Sequence, residues 1–281
     1  MVIDFHTHIF PRYFREKRES FFPKEPAFEA LYRSATSKLA SGEELLQTME
    51  EQGIERAVIF GFPWEQEEHF RRHNDYIIES VQRHPDKLIG FCCFSPLSHH
   101  GPEEVRRCLK VGLAGVGELA IYQSGFSREI IRNMHEVMQV CAESNVPVLL
   151  HTNEPVGHVY PGKSPVQLSE IYEFLKLYPS NKIVLAHWGG GLFFYGLMKK
   201  EVREVLKNVW FDTAASPYLY DPQVYRMAGE IVGTDKILLG TDFPLLSPKR
   251  YFEEMELAGL LEESVRRICG ENAARLLAIP S

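Results

Sequence analysis

Short apolar runs alternate with helical patterns from one end of the chain to the other. The runs are "MVIDFHTH" (1–8), "RAVIFGF" (56–62), "LIGFCCF" (88–94), "LAGVGEL" (113–119), "VPVLLH" (146–151), "KIVLAH" (182–187), "NVWFDT" (208–213) and "KILLGTD" (236–242). Near-continuous apolarity over so few residues predicts strands buried on both faces. Between them lie segments such as "SGEELLQTMEEQG", "NDYIIESVQRHP" and "SREIIRNMHEVMQVCAESN". These open on Ser, Asp or Pro followed by Glu and stop at Gly, Asn or Pro, which are helix boundary signals. Eight such units predict an α/β chain folded as a (β/α)8 TIM barrel, one domain over 1–281. A doubly wound open sheet is the competing topology, but it usually opens with a Gly-rich turn, and here the first strand ends in histidines. The stretch from Phe10 to Ala40 is far longer than the about 2–6 residues of an ordinary βα loop. Rich in aromatics and arginine, it predicts either an insertion that walls the active face or a solvated excursion.

The polar residues inside the strands set up the chemistry. In "VIDFHTHIF" Asp4, His6 and His8 recur at every second position, so an unbroken strand would place all three on one face. Buried polar groups without partners cost on the order of 2–7 kcal/mol each. His6 and His8 end the first strand, Glu118 nearly ends the fourth, and His151, His187 and Asp242 end the fifth, sixth and eighth. The C-terminal strand ends form the catalytic face of a barrel. Imidazoles and carboxylates in this ratio are a ligand set for a divalent metal, and one shared cation would satisfy them all. Asp235, in a second "GTD" tripeptide, precedes its strand and belongs to the opposite face. Asp4 is expected one layer deeper than the histidines, as an acceptor behind an imidazole or as a plain buried hydrogen-bond partner.

The remaining histidines are weaker candidates. His69 and His73 stand four apart on an outer helix without a HExxH pattern and are expected at the surface. His99 and His100 follow the third strand, and His135 lies in a helical segment. Trp64, Asn153, His158 and Tyr160 follow strands two and five and are expected to contact substrate, with loop packing as the alternative. Arg12, Arg15 or Arg18 in the insertion could clamp a substrate carboxylate bidentately, Arg12 first among them.

Composition narrows the partners. A net charge of −7 and the lack of a basic run argue against nucleic acid. With no signal peptide at the first residues and no span of roughly 18 apolar residues, a soluble, cytoplasmic protein without membrane association is expected. Five cysteines without a CxxC pair fit buried, reduced thiols and argue against a thiolate metal site.

Taken together, "DFHTH", "LLHTNEP", "LAHWGGG", "LLGTDFP" and "GENAARLL" resemble the amidohydrolase superfamily, and within it the aminocarboxymuconate-semialdehyde-decarboxylase-like branch of metal-dependent enzymes. The resemblance runs end to end and implies a distorted barrel with one or two divalent ions at its mouth. By it, His6, His8 and Asp242 would hold the first metal. In mononuclear members His151 completes that site and His187 polarises substrate or positions water. In binuclear members Glu118 would bridge to a second ion held by the two later histidines. A single zinc is the expectation drawn here.

The reaction expected on this basis is hydrolysis of a small carboxylate, lactone, ester or amide. A metal-activated water would attack, Asp242 would shuttle its proton, and His187 would steady the oxyanion. The alternative is non-oxidative decarboxylation, and a remote third reading is a metal-binding barrel without catalysis. A homodimer is the expected assembly, dimers being commonest among soluble proteins.

Overall fold

The computed structural model describes residues 1–279. Eight parallel strands are hydrogen-bonded in chain order: β1 (Ile3–His8), β2 (Arg56–Phe60), β3 (Leu88–Cys92), β4 (Gly115–Leu119), β5 (Val148–Leu150), β6 (Ile183–Leu185), β7 (Val209–Asp212) and β8 (Ile237–Leu238). The sheet closes on itself through Phe5 N to Leu239 O at 2.7 Å, Asp242 N to His6 O at 2.9 Å and His8 N to Phe243 O at 2.9 Å. Helices alternate with the strands, which makes the fold a TIM barrel.

All eight strands stand where apolar runs predict them, but several end early. β5, β6 and β8 stop before His151, His187 and Asp242. His187 and Asp242 adopt positive φ angles of 56° and 57°. Such conformations are unfavourable for residues with a Cβ and concentrate at functional sites.

Apolar side chains divide between an outer layer under the helices and an inner plug. The plug includes Ile3, Phe5, Val58, Phe60, Phe91, Leu149 and Val184, closed at the base by Ala273, Ala274 and Leu276. The outer layer takes Ala57, Ile59, Leu150 and the helix faces. All five cysteines are buried and unpaired.

The predicted single face for Asp4, His6 and His8 is corrected by a bulge. Between Asp4 and Thr7 β1 carries one residue more than β2 opposite it. Asp4 therefore pairs with Ala57 of the outer layer, whereas His8 pairs with Phe60 of the inner plug. Asp4 does not touch an imidazole ring. Its carboxylate accepts from Thr241 N (3.0 Å), Thr241 Oγ1 (2.5 Å) and His6 N (3.2 Å), tying β1 to the segment after β8.

The insertion after β1 is a wall, not a solvated excursion. It folds as Arg12–Glu16, a 3-10 segment Arg18–Lys24 and the helix Pro26–Tyr32. Phe14 and Phe28 each lie 4.4 Å from Trp64, ring centre to ring centre. Such a cluster contributes roughly 0.5–1.5 kcal/mol per aromatic pair beyond burial. His73 is likewise buried, against the surface placement expected for it. It accepts at Nδ1 from Trp64 Nε1 (2.9 Å) and donates from Nε2 to Ile9 O (2.6 Å). His69 sits nearly buried against Glu25 at 2.6 Å. A four-residue spacing alone cannot tell the solvent face of an outer helix from the face packed on an insertion.

Candidate metal centre and cavity

At the C-terminal ends of the strands, four donor atoms face one another. His6 Nε2 and His8 Nε2 are 3.3 Å apart. Glu118 Oε2 lies 3.7 Å from the first and 3.6 Å from the second. Asp242 Oδ1 lies 3.6 and 3.5 Å from the same two nitrogens. Donors at the corners of a tetrahedron ~2.1 Å from a central ion are about 3.4 Å apart. The two imidazoles stand at about that spacing from each other and from either carboxylate, so His6, His8 and Glu118 form a donor set compact enough for a divalent ion, with Asp242 beside both histidines.

A second set adjoins it. Glu118 Oε1 is 3.0 Å from His151 Nδ1 and 3.5 Å from His187 Nε2. Glu118 thus turns one oxygen to each set, the disposition of a bridging carboxylate. His151 stands with this second set, while its Nε2 faces Gly162 O at 3.0 Å.

The rings are held by partners that dictate which nitrogen is bare. His8 Nδ1 donates to Gly61 O (3.1 Å) and His187 Nδ1 to Ala214 O (2.9 Å). His6 Nδ1 donates to Asp212 Oδ2 at 2.8 Å. A carbonyl or ionised carboxylate can only accept, so each Nδ1 carries the hydrogen and each Nε2 is available inward. Asp212 Oδ1 also accepts from His187 N (2.9 Å) and Ala214 N (3.0 Å), so one buried carboxylate braces the His6 ring and the main chain at His187. Sequence reading missed Asp212. Its signal was present, because "NVWFDT" also ends in an acid at the active face.

Electrostatics show what the cluster attracts. Burial disfavours a charged His6, yet Asp212, Glu118 and Asp242 together raise it to about 10. Burial likewise opposes charge on His187, but Glu118 and Asp242 lift it to about 9. Burial would raise Asp242, whereas His8, His6 and His187 bring it down to about 2. Glu118 is lowered in the same way against its own burial, chiefly by His6 and His151. Protons held by the imidazoles here do the job of a cation, and a metal ion would displace them.

The local backbone explains the "HWGGG" signature. Trp188, Gly189, Gly190 and Gly191 run through left-handed φ values of 59°, 63°, 61° and 93°. A Cβ on Gly190 would stand 2.2 Å from Asn153 O, so this turn needs glycine for space as well as for φ.

Above the donor sets opens a cavity of about 910 Å³. Its wall includes Tyr32, Phe62, Tyr122, His158, Tyr160 and Leu245, and its floor is His8, Glu118, His151, His187 and Asp242. His158 and Tyr160 thus reach the cavity, as the sequence suggests, and Tyr160 donates to Glu154 at 3.0 Å. Three expected substrate contacts do not line it. Trp64 is fully buried among the insertion's aromatics. Asn153 spends its Oδ1 on Ser164 N (2.6 Å), bracing the loop after β5. Arg12 is 79% exposed and pairs with Glu16. The other arginines are also committed elsewhere: Arg15 approaches Glu44, and Arg18 donates to Tyr32 O and Ser34 O. His100 pairs at the surface with Glu67, and His135 approaches Tyr178, away from the site.

Comparison with known proteins places this geometry in a family. The sequence model of the amidohydrolase family matches residues 3–279, so the chain belongs to that family. It is 25% identical over 255 residues to gamma-resorcylate decarboxylase of Polaromonas sp. (strain JS666 / ATCC BAA-500), covering 74% of this chain and 76% of that protein. It is 34% identical over 127 residues to ribosomal protein uS12 methylthiotransferase RimO of Synechococcus sp. (strain JA-3-3Ab), but spans only 25% of that protein's length. Its fold matches 5-carboxyvanillate decarboxylase of Novosphingobium aromaticivorans DSM 12444, a structure with manganese and 4-hydroxy-3-methoxy-5-nitrobenzoic acid. There the TM-score is 0.76 at 14% identity, over 99% of this chain and 96% of that one. These findings overturn the expected hydrolysis, since the relative and the structure that match over most of the chain are decarboxylases. They give no support to zinc in particular, the metal in that neighbour being manganese. Among the described residues no helix is long and apolar enough to cross a membrane.

Proposed function

We propose that this amidohydrolase-family chain is a metal-dependent, non-oxidative decarboxylase acting on a hydroxylated aromatic carboxylic acid. The observation that carries the reading is an aromatic-walled cavity whose floor is the histidine and carboxylate donor set. The similarity to gamma-resorcylate decarboxylase over three quarters of both chains supports it. A pocket of about 910 Å³ is ample for a substituted ring.

His6, His8, Asp242 and Glu118 would hold one divalent ion, manganese being the first to test, and the set shared by Glu118, His151 and His187 leaves room for a second. When bound, that ion supplies the positive charge that draws in a carboxylate and stabilises negative charge developing on the substrate oxygens. The chain itself repels anions here, because Glu118, Asp242 and Glu154 all line the cavity and Lys38, at its mouth, is the only Lys or Arg among its lining residues. Phe62 and Tyr122 provide flat surfaces for a ring, lying nearly parallel at 6°. Decarboxylation replaces the carboxylate on a ring carbon with hydrogen: a proton is added to that carbon, the C–C bond breaks, its electron pair restores the aromatic ring, and CO₂ leaves. His187 would be the proton donor, through Nε2, since its Nδ1 hydrogen is spent on Ala214 O.

The test is CO₂ release from a panel of mono- and dihydroxybenzoates by protein loaded separately with manganese and zinc, with metal content measured on each sample. Metal-dependent CO₂ release with stoichiometric hydroxyarene is expected. Absence of CO₂ from the whole panel, with metal bound, would overturn the reading.

A further inference from the structure

The neighbouring cysteines of "GFCCF" divide between the two layers of the barrel wall. Cys92 packs in the outer layer under the helices, whereas Cys93 belongs to the inner plug. Cys93 has no part in the site described above, yet its thiol reaches one of the candidate ligands. Its Sγ lies 3.1 Å from the main-chain oxygen of Glu118, and since a carbonyl only accepts, the thiol donates.

The main chain at Glu118 needs holding there. Glu118 stands near the end of β4, where regular pairing gives out on both sides. Towards β3 the last pair is Cys92 with Val116. Towards β5 the register jumps from Val116–Val148 to Leu119–Leu150, leaving one extra residue between. The placement demanded of the side chain is exacting, because Glu118 turns Oε2 to His6 and His8 and Oε1 to His151 and His187, at 3.0–3.7 Å. Ligand constellations work when held to within about 0.5 Å.

Cys93 is itself clamped from the helix side. Asn74, fully buried on the helix Glu67–Arg83, accepts at Oδ1 from Cys93 N (2.9 Å) and donates from Nδ2 to Cys93 O (3.1 Å). Its carboxamide thus gives the end of β3 a donor and an acceptor, as a neighbouring strand would. The orientation of the amide is fixed by a second donation from Nδ2, to Glu104 Oε1 at 2.8 Å. Burial opposes charge on Glu104, but hydrogen bonds from Arg107 and Asn74 hold its carboxyl below the ordinary range, so it only accepts. The contacts run from a buried carboxylate on the helix Gly101–Lys110, through Asn74 and the backbone of Cys93, to the thiol and the carbonyl of Glu118.

We propose that Cys93 is a positioning residue for the metal centre, its thiol holding the main chain of Glu118 so that both carboxylate oxygens stay aimed at the imidazoles. This rests on the reading of the cavity floor as a metal centre and uses no contact with substrate. Cys92, one residue away and equally buried, faces the outer layer and serves as the control.

The test titrates metal-depleted, full-length protein with manganese and reads free and bound ion by electron paramagnetic resonance. Cys93→Ala and Cys93→Val remove the donor, the first leaving space and the second filling it. Each is expected to weaken manganese affinity by roughly 10-fold and to alter the spectrum of the bound ion; the loss falls at the low end for a group behind a ligand because a thiol is a weak donor. Cys93→Ser keeps a donor and is expected to stay within about threefold of wild type. Cys92→Ala makes a comparable core defect and is expected to lower the thermal midpoint while leaving affinity within about twofold. Thermal midpoints, measured on every variant, separate displacement of the ligand from loss of the fold. Unchanged manganese affinity in Cys93→Ala and Cys93→Val, an equal loss in Cys92→Ala, or no recovery in Cys93→Ser would overturn the proposal. Affinity that depends on Cys93 without CO₂ release from any acid would refute the decarboxylase reading alone. CO₂ release with affinity indifferent to Cys93 would refute the positioning role alone, and a wild type that binds no manganese would refute both.

Discussion

Replacing Asp212 with asparagine changes one atom type in the site and should cost the protein its metal. Asp212 is fully buried and uses both oxygens, Oδ2 towards His6 Nδ1 at 2.8 Å and Oδ1 towards the main-chain nitrogens of His187 and Ala214. Asparagine is the same size and can keep its carbonyl on the two main-chain N–H groups. Its amide nitrogen then faces His6 Nδ1, so two donors meet. Flipping the amide is worse, since it would set that NH₂ against two N–H groups. The imidazole relieves the clash by moving its hydrogen to Nε2, the atom that stands 3.3 Å from His8 Nε2 and 3.6 Å from Asp242 Oδ1. A protonated Nε2 has no lone pair for a metal. Losing the partner behind a ligating histidine typically weakens affinity ~10–100-fold, about 1.4–2.7 kcal/mol. Competition of metal-depleted protein with a chromophoric chelator for manganese and zinc measures this directly, and far-UV circular dichroism on heating checks the fold. Asp212→Asn binding metal within twofold of wild type, at an unchanged thermal midpoint, would refute the tautomer argument.

Other expectations follow from the same geometry. Burial holds His73 down at about 3, so between pH 6.5 and 3 the unfolded chain carries a proton that the native chain does not. The stability from its neutral form is complete above pH 6.5 and falls as pH drops, by about 1.4 kcal/mol per unit, or about 2 kcal/mol at pH 5. Urea unfolding from pH 5 to 8 should show that component in wild type and not in His73→Gln, and identical slopes would exclude it. Arg12→Ala should leave KM for any carboxylate substrate within about twofold, because the side chain is exposed and paired with Glu16; a tenfold rise would restore the clamp. Gly190→Ala should cost about 3 kcal/mol, combining a left-handed φ with a Cβ driven into Asn153 O, and a chemical-denaturation midpoint equal to wild type would contradict the turn described.

Much of the molecule was legible before any coordinates. Strand runs such as "KIVLAH" are apolar because both faces of a barrel strand are covered, so their pattern reports topology directly. His6, His8, His151, His187 and Asp242 could be grouped because a parallel barrel delivers all its strand ends to one face. What failed depended on contacts between distant segments. Trp64 and His73 look like a pocket residue and a surface residue until the insertion folds over them, and Arg18 looks like a substrate clamp until its donors are seen on Tyr32 and Ser34. The hydrolysis reading failed for another reason: the same donor set can activate water or hold a carboxylate, and only resemblance along the chain separates the two.

The order of residues alone determined the eightfold βα repeat and the face on which the histidines and carboxylates gather, since periodicity and strand polarity are local properties. Tertiary structure decided which ring nitrogens are bare, that Asp212 braces two histidines, and that a bulge turns Asp4 away from the site. It also decided which of the insertion's aromatics reaches the cavity. Those outcomes hang on hydrogen bonds of about 3 Å between residues as far as 237 positions apart, and no periodicity within a strand or helix encodes a distance of that kind.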